Sequence, residues 1–143
     1  MNRFLSIDYG QKVVGLATYF RGTDPYPTPF GKIIYLNDNQ VIEELSSIIR
    51  DEFIDTLVLG VPYYLDGNSS KMTETIKMFG TQLEKTFPKL KVIYQDETLS
   101  SFEAQDRMKR DPRYNFKVDP KEIDALAASI ILEDFLRENK CFP

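Results

Sequence analysis

The chain has no histidine and a single cysteine among its 143 residues. Without histidine, Ser-His and Cys-His catalytic pairs are excluded, and so are zinc sites, which need histidine or several cysteines. Cys141 has no partner for an internal disulfide, so a reducing cytoplasm is the expected location. Any acid–base or metal chemistry must therefore come from carboxylates, lysines, tyrosines or metal-bound water.

Long apolar runs are also missing from the chain. No stretch approaches the roughly 20 residues of a membrane span, and the N-terminus lacks a secretory signal, so we expect no membrane partner. Hydrophobic residues make up 42% and charged residues 28%, which is typical of a soluble globular protein. The length is that of one domain, so residues 1–143 are expected to fold together.

The net charge of −4 is unevenly distributed, because one segment is basic. Residues 107–121 hold six basic side chains against two acidic ones: Arg107, Lys109, Arg110, Arg113, Lys117 and Lys121. Contacts to phosphate need a local cluster of this kind rather than a basic protein. The alternative is a solvated, flexible surface loop. Tyr114 and Phe116, which lie within the segment, could stack on unpaired bases or anchor the loop to the core.

Strand patterns and helix patterns alternate along the sequence. Five short apolar segments bounded by turn residues are predicted as strands: 3–8, 13–20, 32–36, 56–60 and 91–94. Apolar residues at helical spacing predict helices at about 39–49, 72–87, 100–110 and 119–135. The order is that of an antiparallel three-stranded meander followed by alternating units. It predicts an α/β fold, with a five-stranded mixed sheet and helices on both faces.

Capping residues predict where these helices begin. Asp38 or Asn39 is expected to cap the first helix, and Ser100 to start a helix through a capping box with the glutamate three residues later. Asp119, which is followed by proline, is expected to cap the last helix. The three prolines between residues 25 and 29 exclude helix there and predict an extended connection.

Three acidic residues stand where predicted elements begin or end. Asp8 ends the first strand, Glu97 follows the fifth strand, and Asp124 lies in the last helix. A carboxylate in such a place needs a partner, since burying an uncompensated charge costs several kcal/mol or more. A hard divalent cation such as Mg²⁺ is one suitable partner.

Each of these acids also has an ordinary structural interpretation. Asp8 could cap the turn at Gly10, and Asp96 and Glu97 could be loop residues before a helix. Asp124 could be favoured by the helix dipole. With the cap at Asp119, however, it would lie past the first turn, where that effect fades.

The strand order, together with four motifs that span nearly the whole chain, resembles the YqgF (RuvX) family of the ribonuclease H-like fold. Members are also described as Holliday-junction-resolvase-like. The motifs are Asp8-Tyr9-Gly10-Gln11-Lys12 through Gly15-Leu16-Ala17, Gly60-Val61-Pro62 with Asp66-Gly67, Asp96-Glu97-Thr98-Leu99-Ser100-Ser101 with Glu103-Ala104, and Ile123-Asp124-Ala125-Leu126-Ala127-Ala128 with Ile131-Leu132. Val13 and Thr98 depart from the family pattern, which has arginine at both positions. Each departure removes a cation from the expected path of the phosphate.

The resemblance implies a metal-dependent endonuclease. Asp8, Glu97 and Asp124 would be both the catalytic residues and the ligands of two Mg²⁺ or Mn²⁺ ions. Lys12 is a candidate for positioning the scissile phosphate, and the basic segment is a candidate for binding substrate through Arg107, Arg110, Arg113, Lys117 and Lys121. Lys12 could equally be a solvated hairpin lysine. Residues 60–67 could be a shaped loop beside the site or a plain strand exit.

Three functions are compatible with this sequence. The resemblance implies maturation of the 5′ end of precursor 16S ribosomal RNA. The same chemistry could instead resolve four-way DNA junctions, which would call for a symmetric dimer, whereas RNA trimming needs only a monomer or a weak homodimer. The third function is that of a catalytically silent nucleic-acid-binding adaptor. The Asp-x-Gly hairpin also begins the nucleotide-binding domains of actin-like and hexokinase-like proteins. Those need two such domains, and this chain has room for one.

Overall fold

A computed structural model describes residues 2–62, 70–97 and 100–139 of the chain. In chain order the elements are β1 (Arg3–Asp8), β2 (Val13–Phe20), β3 (Thr28–Ile34), α1 (Asp38–Asp51), β4 (Thr56–Val61), α2 (Lys71–Thr86), β5 (Lys91–Asp96), α3 (Ser100–Arg110), a 3-10 turn (Pro112–Tyr114) and α4 (Ile123–Glu138). None of the helices in these ranges is both long enough and apolar enough to cross a bilayer.

The five strands form one mixed sheet in the order β3-β2-β1-β4-β5. The first three strands are an antiparallel meander, and β4 and β5 run parallel to β1. The predicted α/β architecture is therefore confirmed. Because β1 lies at the centre and β4 beside it, the end of β1 and the end of β5 open on the same edge of the sheet.

Each face of the sheet is covered by different helices. Leu5, Ile7 and Leu57 point to the face packed by α1 and α2, where Leu45 and Phe79 complete the core. Residues at the alternate strand positions point to the other face, where α4 packs. This alternation decides on which side of the sheet each polar strand residue lies.

Helix α4 is buried nearly all round, since it lies between the sheet and α3. Every residue from 125 to 132 is buried. Its outer side packs on Ala104 and Met108 of α3, and its inner side packs on the sheet. Ser6 of β1 donates a 2.7 Å hydrogen bond to the carbonyl oxygen of Ala128, which ties the helix directly to the central strand.

Several predicted boundaries were wrong, among them both ends of the third strand, which ends at Ile34 rather than at residue 36. The third strand begins at Thr28 rather than residue 32, and it includes Pro29. Proline is tolerated there because β3 is an edge strand and one side of its backbone needs no partner. The cap of α1 is Asn37, not Asp38 or Asn39, because Gln40 completes a capping box with it.

The start of the last helix was also predicted wrongly. Residues 120–122 form a turn, and α4 begins at Ile123 after Glu122, which makes no capping hydrogen bond with its side chain. Asp119 accepts a 2.9 Å hydrogen bond from the amide of Lys121, so it caps the turn instead. Asp124 consequently lies in the first turn of α4, where the helix dipole does favour a carboxylate.

Candidate active site

Asp8, the last residue of β1, belongs to the sheet face that α4 covers. Strand side chains alternate, so Asp8 shares its face with Phe4 and Ser6. Phe4 packs in the core under α4, and Ser6 donates to the α4 backbone. The periodicity of β1 therefore places the Asp8 carboxylate at the end of the sheet next to the start of α4.

Glu97 lies one residue beyond β5 and reaches the same face. Its amide donates a 3.2 Å hydrogen bond to the carbonyl oxygen of Val61, which extends the parallel ladder by one residue. Ile93, which lies four residues earlier and on the same side of the strand, packs against the core under α4. Between them, Gln95 donates a 3.0 Å hydrogen bond from Nε2 to Glu138 of α4. The alternation of β5 thus carries Glu97 toward the helix side.

The three acids come together at this edge of the sheet. Asp8 and Glu97 form a side-chain hydrogen bond, and Asp124 is close enough for its charge to act on Asp8. Burial raises the pKa of Asp8 from its ordinary 3.8 to about 6. The hydrogen bond with Glu97 opposes this rise, and the Asp124 charge adds to it. Protonation of Asp8 below about this pH removes part of the negative charge of the cluster.

Two glycines make this convergence possible, a role that the sequence alone did not indicate. Gly15 is the cross-strand partner of Asp8, and a Cβ atom there would lie 2.1 Å from the carbonyl oxygen of Asp124. A Cβ atom on Gly60 would lie 2.6 Å from Cδ1 of Ile131 and 3.1 Å from Cδ of Glu97. The usable signal was a glycine inside a strand, which often marks the close approach of another group.

The carboxylates suit a hard divalent cation by their chemistry, because oxygen donors of this kind are what Mg²⁺ and Mn²⁺ prefer. Within residues 2–62, 70–97 and 100–139, however, no three acidic or cysteine side chains already have the arrangement of a metal-ligand set. Asp8 and Glu97 contact each other through a side-chain hydrogen bond, and Asp124 acts on Asp8 through its charge. The ligand set therefore stays a prediction.

The predicted basic segment is not one loop, and part of its charge is neutralised. Arg107 and Arg110 lie on α3, and Arg113 lies in the 3-10 turn. Arg107 is 2.6 Å from Glu133, Arg110 is 3.3 Å from Asp106, and Arg113 is 2.7 Å from Asp111. These exposed pairs are weak, so a polyanion could compete for the arginines.

The other predicted substrate contacts are exposed lysines. Lys117 and Lys121 lie on the connection to α4, and Lys121 borders a cleft with Ala125, one residue beyond Asp124. Lys12 is exposed in the turn between β1 and β2. Of the remaining motif residues, Asp66, Gly67, Thr98 and Leu99 lie outside the described part of the chain.

The two aromatic residues of the basic segment behave differently. Tyr114 is half-buried and packs against the cluster formed by α3 and α4, so it anchors the segment. Phe116 is 59% exposed and is available for stacking. Of the two interpretations left open by the sequence, anchoring to the core therefore fits Tyr114, and stacking on bases fits Phe116.

Comparison with known proteins agrees with this geometry. The family model described as "RuvX: Holliday junction resolvase" matches residues 2–138. A protein of Maridesulfovibrio salexigens named "Putative pre-16S rRNA nuclease" is 34% identical over 137 residues, which are 94% of this chain and 97% of the relative. A protein of the same name from Mesomycoplasma hyopneumoniae is 34% identical over 140 residues, covering 97% of this chain and 96% of the relative.

Solved structures show the same fold at low sequence identity. Thermus thermophilus RuvC has a TM-score of 0.60 at 9% identity, with 96% of both chains covered. The Fowlpox virus resolvase, solved with Holliday junction DNA, has a TM-score of 0.57 at 15% identity, with 96% of this chain and 98% of the other covered. The fold is thus that of RuvC-like resolvases in the ribonuclease H-like group. The chain is a nuclease acting on phosphodiester bonds, and it belongs to the RuvX family.

Proposed function

We propose that this protein is a metal-dependent endonuclease that matures the 5′ end of precursor 16S ribosomal RNA in the cytoplasm. The observation that carries the proposal is the meeting of Asp8, Glu97 and Asp124 at one edge of the sheet. The relatives named for a pre-16S rRNA nuclease support this choice of substrate. We further propose that residues 1–143 form one nuclease domain, which acts as a monomer or a weak homodimer.

Asp8, Glu97 and Asp124 would hold two Mg²⁺ or Mn²⁺ ions. Such ions, when bound, activate water for in-line attack on a phosphodiester and stabilise the leaving oxygen. The contribution of the chain is to gather the carboxylates. The ionised form of the cluster is disfavoured, because burial raises the pKa of Asp8 and repulsion from the charge of Asp124 adds to that rise. A bound cation would relieve this repulsion, which couples metal binding to stability.

The substrate contacts in this proposal are Lys12, Lys117 and Lys121, together with the three arginines of the basic segment. Arg107, Arg110 and Arg113 would exchange their carboxylate partners for phosphates on binding. Phosphate is a strong bidentate partner for arginine, and such contacts make the affinity depend on salt concentration.

The second candidate is resolution of four-way DNA junctions, and the specific observation that favours it is the RuvC-like fold. Fold alone does not decide the substrate. A resolvase must present two active sites to one junction, so this function requires a symmetric dimer. Light scattering with and without a junction distinguishes the two cases, because RNA maturation predicts no dimer induced by a junction.

The decisive test uses the purified protein and two substrates under three metal conditions. The substrates are a transcript with the precursor 5′ end of 16S rRNA and a four-way DNA junction; the conditions are Mg²⁺, Mn²⁺ and EDTA. We expect cleavage of the transcript with either metal and none in EDTA. The Asp8→Asn variant should be inactive throughout.

Other outcomes of this test would each overturn part of the proposal. Symmetric cleavage of the junction, with the transcript intact, would establish the second candidate. Binding of either substrate with no cleavage under any condition would identify a silent adaptor. Cleavage that persists in EDTA would remove the metal from the mechanism.

A further inference from the structure

A cleft of about 510 Å³ lies between the edge strand β3 and the residues that lead into α4. Phe30 and Lys32 border it from β3, and Lys121, Glu122 and Ala125 border it from the other side. This volume lies within the range of roughly 300–1,000 Å³ in which proteins bind small ligands.

The cleft lies beside the acidic cluster. Lys32 is the cross-strand partner of Gly15, and Gly15 is the cross-strand partner of Asp8. Neighbouring strands are about 4.8 Å apart, so the backbones of Lys32 and Asp8 are separated by roughly two such spacings. Ala125, on the opposite wall, directly follows Asp124. A chain that crosses the carboxylates can therefore continue into the cleft.

An irregularity in β3 exposes Phe30 at this place. The register shifts between Leu16 and Ala17, which pair with Gly31 and Pro29, so Phe30 has no partner on β2. A bulge of this kind redirects a side chain, and Gly31, with φ of 155°, takes a backbone conformation that favours glycine. Phe30 is 42% exposed, although it is a large apolar residue. Its side chain is therefore partly accessible to a ligand in the cleft.

The charge on the walls suits a phosphate backbone. Within the part of the chain that the structure describes, Lys32 and Lys121 take part in no ion pair, whereas Arg107, Arg110 and Arg113 do. Glu122 reduces the local charge to an excess of one cation. Proteins hold single-stranded nucleic acid with this combination of groups: lysines contact the phosphates, and an exposed aromatic ring stacks on a base.

We propose that the β3–α4 cleft, defined by Phe30, Lys32 and Lys121, binds an unpaired nucleotide next to the scissile phosphate. Phe30 stacks on its base, and the lysines contact the flanking phosphates. The substrate strand is therefore single-stranded on this side of the cut, because a base within a duplex is already stacked on its neighbours. The proposal rests on the proposed nuclease function, and it adds which structural form of the nucleic acid the site selects.

The test measures binding rather than cleavage, in the Asp8→Asn background, so that the substrate stays intact. Fluorescence anisotropy compares a single-stranded RNA oligonucleotide with a duplex of the same sequence. Phe30→Leu, which removes the ring and keeps the apolar bulk, should weaken single-strand binding by at least about fivefold. It should change duplex binding by less than about twofold. Lys32→Gln should reduce the salt slope for the single strand by about 0.7.

Matched controls are available elsewhere on the molecule. Phe53 is 77% exposed in the turn between α1 and β4, so Phe53→Leu makes the same chemical change away from the cleft. Lys91 is exposed on β5, the opposite edge of the sheet, and Lys91→Gln matches Lys32→Gln. Both control variants should bind the single strand as the background protein does.

Each remaining outcome counts against a definite statement. Unchanged single-strand binding in Phe30→Leu and Lys32→Gln would overturn the cleft while leaving the nuclease function standing. Equal losses for the single strand and the duplex in Phe30→Leu would overturn the preference for an unpaired nucleotide. If the background protein itself binds neither nucleic acid, the failure lies in the proposed function.

Discussion

Two aspartates at opposite ends of β1 show how a candidate functional carboxylate differs from a structural one. Asp55, just before β4, accepts hydrogen bonds from the amides of Asn2 and Arg3 at 3.1 and 3.0 Å, and from the hydroxyl of Thr56 at 2.7 Å. Asp8 instead meets two further acids, Glu97 and Asp124. Asp55 is surrounded by hydrogen-bond donors, whereas Asp8 lies among further carboxyl groups.

The pKa values of the two residues move in opposite directions as a result. Burial alone would raise the pKa of Asp55, but the hydrogen bonds from Thr56, Asn2 and Arg3 outweigh it and lower the pKa below its ordinary value. Burial and the charge of Asp124 raise the pKa of Asp8 to about 6. The charged form is favoured at one end of the strand and disfavoured at the other. A carboxylate kept in an unfavourable place is a candidate for function.

The sharpest way to break this comparison is to remove the charge at each end in turn. Asp8→Asn should lower the Mg²⁺-dependent cleavage rate by at least about a hundredfold, since metal-ion catalysis contributes several kcal/mol. Asp55→Asn makes the same chemical change at the other end and should leave the rate within about twofold, because Asp55 serves folding alone. Rates are compared under single-turnover conditions with the transcript described above. Full activity in Asp8→Asn would refute the proposed site.

The packing of α4 gives the next largest effect, and here the two glycines differ. In Gly15→Ala the new Cβ meets the backbone oxygen of Asp124, which cannot move aside, so we expect a loss of about 3 kcal/mol in unfolding free energy. In Gly60→Ala the nearest atom is the flexible end of Ile131, so the loss should be about 1 kcal/mol. Urea denaturation measures both losses. Equal losses of unfolding free energy in Gly15→Ala and Gly60→Ala would mean that α4 can move away from β2 and make room for the new Cβ atom.

Most of this architecture was predictable from sequence because it rests on periodicity. Alternation placed the strands, helical spacing placed the helices, and the motifs identified Asp8, Glu97 and Asp124. The structure then placed these acids at one edge of the sheet. What could not be predicted depends on long-range packing. The close approach that Gly15 and Gly60 permit involves α4, which is distant in sequence, so neither strand alone revealed it.

Element boundaries failed for a different reason, namely competition between local signals. Asp119 has the sequence features of a helix cap, yet it caps a separate turn that comes first. The sequence left open whether the basic segment is a phosphate-binding cluster or a flexible surface loop; its first residues, Arg107 to Arg110, lie on α3, the helix predicted over 100–110. Its ion pairs could not be predicted either, since Glu133 lies on another helix.

The pH dependence of stability sharpens the comparison further. Because the folded protein raises the pKa of Asp8 from 3.8 to about 6, it binds more protons than the unfolded chain within this window. Unfolding free energy therefore falls as the pH rises from about 4 to 6. Asp8→Asn should consequently be more stable than the parent protein by about 3 kcal/mol above pH 7 without metal, and equally stable near pH 4.

Denaturation at a series of pH values in EDTA measures this difference. Added Mg²⁺ should stabilise the parent protein and leave Asp8→Asn nearly unchanged, because the variant lacks a metal ligand. A stability difference that is the same at pH 4 and pH 8 would show that ionisation of the buried Asp8 carboxyl is not its source.

The smallest expected effect lies at the other end of β1. Asp55→Asn should destabilise the protein by about 1 kcal/mol at neutral pH, since the amide is a weaker acceptor for the donors of Asn2, Arg3 and Thr56. The pKa of Asp55 is lowered by folding, so its contribution is complete above the unfolded pKa and is lost as the pH falls through the folded pKa. The difference between parent and variant should thus be constant from pH 5 to 8 and shrink below about pH 4, which is opposite in sense to the behaviour at Asp8. Denaturation at pH 3 and pH 7 measures both values. An undiminished difference at pH 3 would mean that Asp55 stabilises the fold through its shape rather than its charge.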